Sequence, residues 1–441
     1  MGGISITGAT KRGFRAYTLS NYKEIPQIQN FTQEQQEDIG IAARIFPFRV
    51  NNYVIDELIN WDNVPNDPMF RLTFPNKDML LPPHYKEMKH LLHTAASEEE
   101  VQQAIHKIRL TLNPHPAGQL DKNVPELNGK VLEGMQHKYN ETVLFFPTQG
   151  QTCHTFCTFC FRWAQFTGMK DLKFASREIE TLVSYLQEHP EVKDVLFTGG
   201  DPMTMSANLL KRYIEPILEA DIRTIENIRI GTKSLSYWPQ RFVSDKDSED
   251  ILSLFSNVTD HNKHMAIMGH FNHPVELTTD TVKEAIKNIR ATGAQIRTQS
   301  PLIAHINDDP VIWEQMWREQ VRLGCIPYYM FMVRNTGANH YFDTPISKAW
   351  EIFQEAYQNV SGLARTVRGP SMSTDPGKIN VLGTQEINGE KVFVLEFLQG
   401  RDCRWVRKPF FAKYSPTASW LTDLEPAFGK EKFFFENTST I

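Results

Sequence analysis

No uninterrupted apolar run in this sequence is long enough to span a bilayer. Residues 1–6 lack an apolar signal core, and Ile6 stands where a myristoylation motif wants Ser or Thr, so a cytosolic (cytoplasmic) location is the expectation. An excess of one charge sign is also missing: 47 Lys and Arg face 52 Asp and Glu, leaving −5 with the two signs interspersed. That excludes a dominant basic face for nucleic acid or an anionic membrane and makes small-molecule work the default. Cysteine is scarce, with five in 441 residues, too few for a disulfide framework and suited to a reducing compartment. There is no internal repeat and no low-complexity segment. The remainder, 41% hydrophobic and 22% charged, is ordinary globular composition with length for two or three domains.

Three of the few cysteines, Cys153, Cys157 and Cys160, fall in one short run, Thr-Cys-His-Thr-Phe-Cys-Thr-Phe-Cys-Phe-Arg-Trp. Thiolates at this spacing can converge on one metal centre, and no fourth cysteine stands at usable spacing. A closed structural zinc site wants four protein ligands, whereas an iron–sulfur cluster held by three thiolates keeps one iron free for another ligand. The alternative is a zinc knuckle completed by His154 or a distant histidine. Cys325 and Cys403 are isolated and read as buried hydrophobes.

Residues 1–130 are polar, proline-punctuated and mostly helical in pattern. Ser97 and Glu100 form a capping box ahead of an apolar stripe at Val101, Ile105, Ile108 and Leu112. A Pro-, Gly- and Asn-rich passage, 113–134, reads as a linker or long surface loop. From about 140 to 345, six strand-like runs (142–147, 195–198, 228–232, 265–269, 295–300 and 327–333) alternate with amphipathic stretches. Such stretches include Ile179, Leu182, Val183 and Leu186, and residues 282–289. This alternation implies parallel strands with right-handed crossovers, an α/β architecture of the incomplete (β/α)6 barrel type, with chemistry at the strand C-termini. The expected divisions are a helical N-terminal region (1–130), the barrel (131–345) and a separate C-terminal lid or cap (346–441) containing β-prone residues 391–397.

After the second strand-like run comes Phe-Thr-Gly-Gly-Asp-Pro, with Gly199, Gly200 and Asp201. Paired glycines permit close backbone approach to a ligand, and a carboxylate there can accept from an ammonium. Alone, this is only a plausible strand-to-helix turn. The three-cysteine loop followed by this turn resembles the signature of radical S-adenosylmethionine (SAM) enzymes. The ordered series from about residue 60 to 385 is similar to the lysine 2,3-aminomutase family. It comprises Asn66-Asp67-Pro68, His137-Lys138-Tyr139, Arg229-Ile230-Gly231-Thr232-Lys233, His270-Phe271-Asn272-His273-Pro274, Gln299-Ser300, Ile306-Asn307-Asp308, Pro327-Tyr328-Tyr329 and Pro376-Gly377-Lys378-Ile379.

The resemblance implies a [4Fe–4S] cluster on Cys153, Cys157 and Cys160, SAM at Gly199, Gly200 and Asp201, and pyridoxal 5′-phosphate (PLP) joined covalently to Lys378. It places Lys138 at the PLP phosphate, where a second family arginine is replaced by Thr142. Arg162 would hold the substrate α-carboxylate, and His270 and Gln299 would line the SAM or PLP site, although satisfied polar residues in strands would look the same. The implied reaction is an isomerisation: SAM is cleaved to a 5′-deoxyadenosyl radical, hydrogen leaves C3 of an amino acid, and nitrogen moves from C2 to C3. An electron donor such as flavodoxin or ferredoxin and a homo-oligomeric state are implied too. Two departures stand out. The family's C-terminal zinc-binding cysteines are reduced to Cys403, and the pair of aspartates that grips a lysine side chain becomes Asp308 and Arg334. A non-lysine substrate, glutamate first, is therefore one alternative, and a radical SAM reaction without PLP is another.

Overall fold

A computed structural model describes residues 13–94, 96–113, 123–168 and 174–436, and all counts of elements and contacts are of these residues. The chain's first six residues and part of the expected linker, 114–122, lie outside them.

The N-terminal region is helical, with α-helices at Gln33–Ile45, Pro82–His93 and Glu98–Leu112, and a small antiparallel ribbon of β1 (Ala16–Thr18) and β2 (Arg49–Asn51). The capping box exists: Ser97 Oγ accepts from Glu100 N at 3.3 Å, and Glu100 Oε2 accepts from Ser97 N at 2.8 Å. Behind it Val101, Ala104, Ile105, Ile108 and Leu112 are buried, as the 3.6-residue period requires. Where a loop was expected after residue 122, β3 (Glu126–Leu127) and β4 (Lys130–Val131) form a second ribbon.

One sheet of eleven strands follows: β5 (Met135–Tyr139), β6 (Thr142–Phe145), β7 (Asp194–Phe197), β8 (Asn227–Thr232), β9 (His264–His270), β10 (Gln295–Leu302), β11 (Ile326–Met332), β12 (Arg368–Ser373), β13 (Gly377–Ile387), β14 (Glu390–Gly400) and β15 (Pro409–Lys413). Each strand lies beside its predecessor. β6 to β12 run parallel, and β5 and β13 to β15 are antiparallel additions at the two ends. The six expected strands are all present, and β12 adds a seventh parallel one. Its sequence, Arg-Gly-Pro-Ser-Met-Ser, carries turn-forming residues that hide a strand. In the region expected as a lid or cap, β12 to β15 continue the main sheet.

The sheet curls. Gln399 on β14 donates to Glu141, beside β6, at 2.5 Å, although eight strand spacings separate these strands in the sheet order. A flat sheet would hold them roughly 40 Å apart. Lys138 on β5 likewise donates to the carbonyl of Thr374, just past β12. Along β8, Ile228, Ile230 and Thr232 are buried while Asn227, Arg229 and Gly231 are partly open, so the alternation gives one face to the surrounding helices and one to the enclosed interior.

Two hydrophobic cores result. One joins the sheet to its helices through residues such as Val195, Ile230, Ile267 and Trp313. The other joins the N-terminal helices to the loops at the C-terminal ends of the strands, through Trp163, Tyr237, Trp238, Ile303 and Phe342. Among the described residues, no helix is long and apolar enough to cross a membrane.

Candidate active site

The cysteine loop follows β6 and is stitched to the N-terminal region. Arg49 Nη1 donates to Thr152 Oγ1 (3.0 Å) and to the Cys153 carbonyl (3.2 Å). Phe156 N donates to the Arg49 carbonyl (2.9 Å), and Thr158 N to that of Leu72 (2.9 Å). These contacts hold the three cysteines on one short loop. Among the described residues, no group of three or more His, Cys, Asp or Glu side chains is already gathered around a single metal position. Burial pushes all three thiols above the usual range, Cys157 to about 12, so thiolates here would need a bound positive centre rather than solvent to stabilise them. Tyr237 Oη lies 3.6 Å from Cys157 Sγ, a contact that sequence reasoning missed. Cys325 is buried as expected, but Cys403 is exposed at the start of a single helical turn after β14.

The Gly-Gly-Asp turn serves this loop. A Cβ on Gly199, whose φ is +148°, would collide with the Gln151 side chain, and one on Gly200 with the backbone of Thr152. The glycines therefore admit the cysteine loop itself, where the sequence suggested a ligand. Asp201 accepts from Met203 N (2.9 Å), Lys233 N (2.9 Å), Thr232 Oγ1 (2.7 Å) and Ser234 Oγ (3.0 Å). These bonds make Asp201 tie the ends of β7 and β8 together beside the cysteine loop.

His270, at the end of β9, stacks on Phe159 of the cysteine loop with ring centroids 5.9 Å apart. Burial drives its pKa far down, so the ring is neutral, and its buried Nδ1 has no partner. An orphaned polar atom beside the cysteine loop fits a site for a polar ligand such as SAM. Gln299 pairs with His270 across β9 and β10 and so shares its face of the sheet.

Lys378 is the second residue of β13 and points into the enclosed interior. Its amine lies 4.3 Å from the Tyr329 centroid, 5.8 Å from that of Phe331 and 5.9 Å from that of Tyr139, and donates to Gln399 Oε1 at 3.0 Å. Burial above all, and then Arg229, Arg368 and Lys138, lower its pKa to about 7. A solvated loop lysine, the ordinary reading of this position, is not what the structure contains. A lysine neutral near pH 7 beside aromatic faces and cations fits the donor set that PLP requires. Thr142, by contrast, spends its hydroxyl on Asp194 Oδ2 (3.1 Å).

Arg162 is buried just after Cys160. Its guanidinium lies 4.2 Å from the Phe146 centroid and donates to Gln165 Oε1 from Nε (3.1 Å) and Nη2 (2.5 Å). Burial lowers its pKa to about 10, the charges of Cys160 and Cys153 oppose that, and Arg334 adds to it. Arg334 packs 4.5 Å from the Phe161 centroid, and its pKa is lowered by burial while Tyr139 acts to raise it. Tyr139 thus senses both Arg334 and Lys378, linking the cysteine loop, the arginine pair and the lysine in one interior. Among the described residues, no carboxylate pairs with either arginine. Asp308 is not part of this group: it is exposed on the turn after β10, and no ion pair joins it to Arg334.

A protein of Aquifex aeolicus, provisionally named an L-lysine 2,3-aminomutase, is 31% identical over 396 residues, covering 90% of this chain and 92% of its own length. The chain belongs to the lysine 2,3-aminomutase family. Another relative of the family is the L-lysine 2,3-aminomutase of Acetoanaerobium sticklandii, 27% identical over 78% of this chain and 71% of that one. The glutamate 2,3-aminomutase of Clostridioides difficile is 28% identical over 48% of this chain and 47% of its own. Among solved structures, a radical SAM methyltransferase from Sphaerobacter thermophilus covers 66% of this chain and 93% of its own at 13% identity, with a TM-score of 0.39. No protein-family model matches the chain.

Proposed function

We propose that this member of the lysine 2,3-aminomutase family is a radical SAM, PLP-dependent isomerase that moves an amino group from C2 to C3 of a free amino acid. The observation that supports it most is the amine of Lys378, depressed to about pH 7 and enclosed in the same interior as Arg162 and the three-cysteine loop. We read the curled sheet as the partial (β/α)6 barrel of radical SAM enzymes, with β13 carrying the PLP lysine. When bound, the cluster with SAM supplies a radical able to take hydrogen from C3, and PLP supplies the π-system across which nitrogen passes.

The protein's own contribution is placement. Cys153, Cys157 and Cys160 hold the cluster and leave one iron open. Gly199, Gly200 and Asp201 brace that loop, and His270 and Gln299 offer polar atoms beside it. Lys378 presents a neutral nucleophilic amine, and Lys138 adds positive charge close to it. Arg162 offers its planar fork to the α-carboxylate, fixing C3 towards the cysteine loop at near contact distance. The electron comes from outside, from a donor such as flavodoxin or ferredoxin.

A second reading concerns the substrate. The interior holds Arg162 and Arg334 with no carboxylate for either, and Asp308 faces solvent. A substrate with two carboxylates, glutamate being the simplest, matches this arrangement better than a lysine side chain does. The test is an anaerobic incubation of reconstituted protein with SAM, PLP, reductant and each of the twenty amino acids, with β-amino products detected by mass spectrometry. A β-amino product is expected; SAM cleavage with no amino acid converted would overturn the amino-shift reading.

A further inference from the structure

The guanidinium of Arg368, the first residue of β12, lies 4.2 Å from the Tyr328 centroid and 4.3 Å from the Tyr329 centroid. Stacking on two rings fixes its plane but leaves its N–H edges free to donate. Among the described residues, no carboxylate or carbonyl accepts from them. The other cations around Lys378 are engaged. Arg229 is paired with Asp194, its Nε donating to Oδ1 at 2.6 Å, and Lys138 donates to the Thr374 carbonyl.

Strand geometry puts Arg368 on the same face as Lys378. Tyr329 pairs with Arg368 and Phe331 with Ser371, so β12 carries one extra residue there, and the bulge returns Arg368 to the face shared by Ser371 and Ser373. Ser373 pairs directly with Lys378. The Lys378 amine and the Arg368 guanidinium are each 4.3 Å from the Tyr329 centroid, so their separation is at most twice that.

We propose that Arg368 binds the phosphate of PLP. This rests on the PLP reading given above and assigns a residue to it. The aldehyde and phosphate arms of PLP leave neighbouring ring carbons, so a phosphate-binding cation must stand within a short reach of the lysine that takes the aldehyde. Arg368 does so, with a bidentate fork, which suits a phosphate. The bulge at Pro370 and the two stacked tyrosines are the devices that aim it.

The experiment compares PLP with pyridoxal, which has the aldehyde and no phosphate, in wild type and Arg368→Gln. Binding is followed by the visible absorbance of the lysine adduct, with borohydride trapping and peptide mapping, and circular dichroism and thermal melting check the fold. PLP affinity should fall about ten- to a hundredfold in Arg368→Gln, the loss expected for a charge-assisted hydrogen bond, while pyridoxal affinity holds. Equal losses for the two ligands, or no loss for PLP, would overturn the assignment alone. If wild type takes up neither ligand at Lys378, the PLP reading fails and this one with it. Should Arg368→Gln not fold, Arg368→Lys carries the same comparison: a loss confined to PLP supports the assignment, and parallel behaviour of the two ligands overturns it.

Discussion

Gln399 joins Lys378 to Glu141: its Oε1 accepts from the lysine amine at 3.0 Å while its Nε2 donates to the carboxylate at 2.5 Å. The amine is thus held by a neutral acceptor from a strand eight places from β6. A carboxylate in direct contact would favour the ammonium, whereas an amide between them leaves burial in control of the acidity.

The first prediction follows from that acidity. With a pKa of about 7, half of the Lys378 amine is neutral at pH 7, against well under one in a thousand for an ordinary lysine. The rate of covalent PLP capture, read by absorbance, should rise with pH and level off just above 7. A rate still climbing towards pH 10 would show an unperturbed amine. Stability gives the sign independently: the unfolded lysine keeps its proton to about 10.5 and the folded one to about 7, so the unfolded state binds more protons in between. Apoprotein stability contributed by this group therefore increases with pH across that window, and Lys378→Met should remove the increase in thermal melts.

The second prediction concerns the thiols. Replacing Cys153, Cys157 or Cys160 by Ala should abolish both the iron and sulfide content after anaerobic reconstitution and the reductive cleavage of SAM. Full iron content and full cleavage in any one of these variants would end the cluster assignment.

A third prediction uses the contact between the glycine turn and the cysteine loop. In Gly200→Ala the new methyl meets backbone atoms of Thr152, which cannot swing aside as a side-chain tip would. The loop must shift, so iron incorporation should fall sharply while the sheet, followed by far-UV circular dichroism, persists. Normal iron uptake would show that the loop tolerates displacement.

The fourth prediction is selectivity. A lysine ammonium brought to about 4 Å from Arg334 meets a repulsion of about 4 kcal/mol at an effective dielectric near 20, enough for a hundredfold or greater loss of binding. The native protein should favour glutamate over lysine in kcat/KM, and Arg334→Asp should shift the ratio towards lysine. A native preference for lysine that Arg334→Asp leaves unchanged would mean that other residues build the pocket.

Much of this arrangement was legible in the sequence, for identifiable reasons. The apolar runs that became β6 to β11 carry their own period, and Ser97 and Glu100 announce a helix start through local hydrogen bonds alone. The cysteine spacing is likewise a local fact. What the sequence hid depends on distant packing. β12 hid behind Gly369 and Pro370. Nothing near Asp201 in sequence reveals that Thr232 and Ser234 donate to its carboxylate. Lys378 could be assigned only through resemblance, since its acidity comes from burial in the folded interior and then from Arg229 and Arg368 on other strands. The resemblance set Asp308 and Arg334 together at the substrate side chain, and the fold sends one to solvent and the other inward.

The curl of the sheet has a consequence for assembly order. Its closing contacts join residues 258 and 236 positions apart in the chain, Gln399 with Glu141 and Lys138 with Thr374. Contacts of such long range carry a heavy loop-closure entropy and form late in folding. The cysteine loop and the Gly-Gly-Asp turn, by contrast, are complete once about half of the chain has been synthesised. The two halves of the proposed chemistry are therefore built at different times, and a chain stopped before β13 would retain the three cysteines while lacking Lys378, the residue proposed to receive the second cofactor.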